Sequence, residues 1–213
     1  MAATYSTAAP LPWLVKRGLL ALWRELPVAL VAGALTLAAA IPLAVAAGTA
    51  APGWLLAGTT VPAALGLTGL AHFAAGVADG DATRMRGLRL DPVLALVLAG
   101  GGTLAGLGLS VGGVAALAGA AGAAVLLVVA PLALAYGGVR GRTGLAALRG
   151  GTILAAVRPS WALTLLALGV LGGFAAVASL GILAIAVLPL LATVASSVVA
   201  GLVEEINHSA GQP

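Results

Sequence analysis

The sequence predicts an all-α polytopic integral membrane protein, with about six transmembrane helices in three hairpins behind an N-terminal amphipathic helix. Three features lead there: apolar runs long enough to cross a bilayer, loops that alternate between charged and uncharged, and prolines that recur where each hairpin begins. Hydrophobic residues fill 62% of the 213 positions and charged residues only 8%. A water-soluble domain carries roughly 25% charged residues to cover its exterior, so lipid must be the solvent for most of this surface.

Ahead of the first run, segment 13–26 is amphipathic: Val15, Leu19, Leu22, Trp23 and Leu26 share one helical face and Arg17 and Arg24 the other. Such a helix is expected along the inner membrane surface. The apolar runs then give spans at 27–47, 54–78, 92–109, 114–136, 161–178 and 182–203. Each approaches the roughly 20 residues that a bilayer crossing needs. A cleaved secretory leader fits poorly, because the first run is longer than a leader's apolar core and five more follow.

Loops 48–53, 110–113 and 179–181 are short, uncharged and rich in Gly. By contrast 79–91 holds Arg84, Arg86 and Arg89, and 137–160 holds Arg140, Arg142, Arg149 and Arg158. With Lys16, Arg17 and Arg24 before the first span, all ten basic residues fall on one side, which the positive-inside rule makes cytoplasmic. Both termini are then cytoplasmic in a cell (inner or plasma) membrane. The chain divides into an N-terminal segment 1–26, a membrane domain 27–203 and a tail 204–213. The acidic residues Glu25, Asp79, Asp81, Asp91, Glu204 and Glu205 land on the same side. A five-span reading would send one terminus and its charges across.

Trp13, Trp23, Tyr136 and Trp161 fall at the charged edge and Trp54 at the other, where amphipathic rings favour the headgroup region. Pro27, Pro92 and Pro159 open spans one, three and five, where a missing N–H costs a helix nothing. Their spacing of 65 and then 67 residues marks a weak hairpin repeat. Pro42, Pro62, Pro131 and Pro189 lie inside spans and predict kinks, tolerable where a neighbouring helix covers the freed carbonyl.

Several function classes lose support. The basic residues sit in short clusters between apolar runs, a placement suited to anionic lipid headgroups and not to nucleic acid. Zero cysteines exclude thiolate chemistry and Cys-containing zinc sites. Gly108-Leu-Ser110-Val-Gly112 matches a nucleophile elbow, but Ser110 falls at the uncharged end of its span while His72 and His208 belong to the charged end. Gly106-Leu-Gly108 through Gly112 echoes a dinucleotide turn, yet no Asp or Glu follows between Asp91 and Glu204 to hold a ribose. The expectation is no enzyme, no cofactor and no metal.

His72 is the one ionisable side chain within an apolar span, and so a candidate intramembrane polar site. No Asp, Glu, Lys or Arg is expected to be buried, which argues against an ion-coupled transporter. Gly102 with Gly106 and Gly169 with Gly173 have the spacing of close helix contacts, but so many glycines produce such pairs by chance. Arg142 and Arg149 are seven apart, share a face if helical, and are candidates for contact with a partner or with lipid.

Leu22-Trp23-Arg24-Glu25-Leu26-Pro27 before the first span, the charged stretch 79–89 after the second, and Ala146-Ala147-Leu148-Arg149 through Val157-Arg158-Pro159 before the fifth resemble the YesL family of small bacterial membrane proteins. The resemblance extends over nearly the whole chain. The family's Thr-Gly-rich turn is not evident at Pro42-Leu-Ala-Val. The resemblance implies a non-catalytic accessory component associated with carbohydrate uptake, partnered by membrane transport proteins, and carries over no catalytic residue. The alternative is a permease-type subunit of an ATP-driven importer. Leu145-Ala146-Ala147 with Gly151 partly matches the coupling loop of such subunits, with Leu in place of Glu.

Overall fold

A computed structural model describes residues 11–49, 51–80, 89–179 and 181–210. Among the described residues there are eight α-helices and no strand. They are α1 (Leu11–Arg24), α2 (Leu26–Gly48), α3 (Gly53–Asp79), α4 (Pro92–Val111), α5 (Gly113–Arg140), α6 (Gly144–Val157), α7 (Pro159–Ala178) and α8 (Ala184–Ala210). Six of them, α2, α3, α4, α5, α7 and α8, are long and apolar enough to cross a membrane. The protein is therefore a multi-pass membrane protein. Arg84 and Arg86 of the expected charged loop lie outside the described residues.

Lipid-facing character shows on the outer helices, where Val114, Phe174 and Val177 leave more than three quarters of their surface uncovered (83%, 76% and 77%). In water such a surface would aggregate. The centre belongs to α3 and α8, whose apolar stretches are 56% and 50% buried against 11–22% for the other four. Leu132, Val198, Val199 and Leu202 anchor one core cluster between α5 and α8. Leu22, Leu70, Phe73 and Val77 anchor another between α1 and α3.

The prolines fall as the sequence places them. Pro27, Pro92 and Pro159 stand in the first turn of α2, α4 and α7, and Pro42, Pro62, Pro131 and Pro189 lie inside helices. At Pro189 the cover for the freed carbonyl is visible. Pro189 removes the N–H that would bond Ile185 O, and Gly33 of α2 lies so close to that oxygen that a Cβ would overlap it. A Cα–H donor can partly serve such an oxygen.

Close helix contacts run through other glycines than the spaced pairs. Gly102, Gly106, Gly169 and Gly173 have nothing within 4 Å of where a Cβ would stand. Gly108 and Gly119 instead let α4 and α5 cross at backbone contact, with a Cβ at Gly119 only 2.6 Å from Ala105 O. The α4–α5 link is Gly112 alone, at φ 81°, a conformation that favours glycine.

Three expectations change. The apolar face of α1 divides: Gly18 and Leu22 are buried against α8 and α3, with Gly18 beside Ser197, while Leu19 and Trp23 of the expected stripe point outward. The helix is thus docked on the bundle. The 137–160 segment is largely helical, because α5 runs on to Arg140 and α6 follows. Gly150 and Gly151 of α6 admit the Tyr136 ring and the Ala133 backbone of α5. Finally α8 continues through the expected tail to Ala210, since residues 204–210 include no Gly or Pro.

Candidate functional site

The starts of α4 and α6 meet the middle of α3 at Asp91. This residue precedes Pro92, the arrangement of an N-cap followed by proline at the first helical position. Its Oδ1 accepts from Leu94 N at 3.0 Å within its own helix. Oδ2 accepts from Gly144 N at 2.6 Å, at the start of α6 and 53 residues away. One carboxyl group therefore caps two helix N-termini, where partial positive charge favours it. Asp91 is 1% exposed, so the expectation that no carboxylate is buried is overturned. The physical reason is that buried backbone donors need acceptors, and two of them converge here.

A second layer supports the junction from α3. Thr68 Oγ1 donates to Leu65 O at 2.8 Å and accepts from Asp91 N at 3.3 Å. His72, one turn further along, has Nδ1 3.0 Å from Thr68 O, a distance at which the protonated nitrogen donates to that carbonyl. The imidazole is half-buried, and Nε2 has no hydrogen bond among the described residues. His72 thus belongs to the framework around Asp91, in a structural setting that sequence spacing did not reveal. Only the Asp-Pro signature of Asp91 was readable, and it announces a cap for one helix, not two.

The arginines of the former loop sort into two kinds. Arg158 forms an ion pair with Glu205, and Arg140 Nη2 donates to Asn207 Oδ1 at 3.2 Å. Both therefore tie α5 and α7 to the end of α8. Arg142 and Arg149 are exposed, and their guanidinium groups have no ion pair or hydrogen bond among the described residues. They do not share one helix. Gly141 and Gly144, at φ 63° and 60°, interrupt the chain so that Arg142 lies in the turn and Arg149 within α6.

Ser110 is exposed at the end of α4, and its hydroxyl donates to Leu107 O at 2.8 Å. Ala147 and Gly151, which partly matched a permease coupling loop, are buried on the inner face of α6. Among the described residues no three His, Asp or Glu side chains gather as metal ligands. Compared with known protein families, curated proteins and solved structures, the chain matches none.

Proposed function

We propose that the protein is a non-catalytic accessory membrane component of carbohydrate uptake, held in a bacterial cell membrane with both ends cytoplasmic. The family reading comes from the YesL-like segments of the sequence. The structural observation that supports it is the sorting of the arginines. Arg140 and Arg158 are consumed in holding the bundle, while Arg142 and Arg149 stand exposed on a segment that Asp91 clamps in place. A rigid turn and helix presenting two cations suits contact with a transport protein or with anionic headgroups, and supplies no chemistry of its own.

The test is co-purification of the detergent-solubilised chain from its native membranes, with carbohydrate uptake measured in cells lacking it. Recovery of a membrane transport protein together with slowed uptake is expected. Unchanged uptake overturns the proposal, and recovery of an ATPase as the main partner replaces it with the permease reading. The inward orientation of Ala147 and Gly151 weighs against that outcome.

A further inference from the structure

Between α3, α4, α5, α7 and α8 lies a cavity of about 590 Å³. Twenty residues line it, and every one is Leu, Ala, Gly or Pro. No polar side chain reaches it, so water finds few partners there. Its wall has a seam, because α4 stands on one side and α7 and α8 on the other without packing together. Gly102 and Gly106 of α4 and Gly169 of α7 line the cavity and face open space.

We infer that this cavity holds a single acyl tail of a membrane lipid. On α5 the lining runs from Ala123 to Ala135, which at 1.5 Å per residue is about 18 Å. One leaflet of hydrocarbon is about 15 Å deep, half of a core about 30 Å thick. The length therefore suits a tail entering from one leaflet. Spreading 590 Å³ over that length leaves a track about 6.5 Å across for the centre of a water-sized sphere, and so a bore of about 9 Å from wall to wall, whereas a helix with its side chains is about 10–12 Å wide. A partner helix or a helix of a second copy does not fit. The lining reaches Leu109, two residues before α4 ends, and begins on α8 at Leu188, four residues after that helix starts. On α3 and α5 it stops at Leu67 and Ala123, well short of the uncharged end of the bundle, so the tail enters sideways through the seam between α4 and α7.

Half-buried lining residues on the two central helices, Leu67 of α3 and Leu191 of α8, make this testable because they present side chain to the cavity. The full chain is reconstituted in phosphatidylcholine vesicles containing phosphatidylcholine with a diazirine midway along one acyl chain, irradiated, and its adducts mapped by mass spectrometry. Adducts at Leu67 and Leu191 are expected, alongside those at the exposed Leu163 and Val170 of α7. Gly106→Leu combined with Gly169→Leu, which fills the cavity from both sides, should abolish the cavity adducts and keep the exposed ones. Gly100→Leu, also in open space but outside the cavity, should change neither. The inference fails if wild type carries only surface adducts, if the cavity adducts persist in the filled variant, or if the seam yields chain-to-chain cross-links in place of lipid adducts.

Discussion

Asp91 Oδ2 and Gly144 N, 2.6 Å apart, join the start of α4 to the start of α6 across 53 residues of sequence. Removing the acceptor leaves a buried N–H at each helix start, at a cost of about 1–3 kcal/mol for each unsatisfied donor. Ser at this position still caps α4 but is too short to serve both. Unfolding midpoints in detergent should therefore fall in the order wild type, Asp91→Ser, Asp91→Ala. Equal midpoints for the Ser and Ala variants would show that the bond to Gly144 contributes nothing.

Gly144 and Gly141 both have left-handed backbones, but their surroundings differ. A Cβ at Gly144 would stand 2.8 Å from Val93 Cγ1, whereas one at Gly141 meets nothing. Gly141→Ala should cost about 1–2 kcal/mol from backbone strain alone. Gly144→Ala should cost more, and Val93→Ala should recover part of the excess. Simple additivity of the two substitutions in a double-mutant cycle rules out the contact.

Gly33 lies against the carbonyl that Pro189 leaves without its helical donor. Gly33→Ala must push α2 away from α8, a steric penalty of about 1–3 kcal/mol. Gly58→Ala, in open space, should instead be neutral or gain up to about 1 kcal/mol of helix propensity. SDS unfolding of the two variants side by side measures the difference, and a stable Gly33→Ala protein would refute the close approach.

The proposed cytoplasmic orientation is open to direct labelling because the chain has no cysteine. Single cysteines in place of Thr49, Ser110 or Ser179 should react with an impermeant thiol reagent added to intact cells. A cysteine replacing Thr143 should react only after lysis. Outside labelling at Thr143 would invert the proposed topology.

Arg142 and Arg149 serve lipid or a protein partner through different properties. Headgroup attraction needs positive charge, worth about 1 kcal/mol per residue, while a partner carboxylate gripped bidentately needs the guanidinium fork. If the pair serves as a lipid anchor, Arg142→Lys with Arg149→Lys should behave as wild type in uptake and co-purification, and double Glu should fail. Loss of the partner in the double Lys protein would instead identify a docking site.

The spans, their number and their alternation of charge were legible because lipid imposes its demand residue by residue: a crossing helix must be apolar along its whole length, and Arg is excluded from it. The entry prolines were legible for an equally local reason, since the first turn of a helix has no use for their missing N–H. Which face of each helix turns inward was not. Helices apolar all round bury any face equally well, so periodicity in an Ala-, Leu- and Gly-rich chain says little about packing. That choice was made by contacts between distant residues: Gly33 with Ile185, Gly108 with Gly119, Gly150 with Tyr136, and Asp91 with Gly144. Asp91 could be read as a helix cap from its neighbour Pro92, but its burial followed only once α6 brought a second backbone donor to it. The cavity likewise arises where α4 stands apart from α7 and α8, a property of the assembled helices and of no single segment.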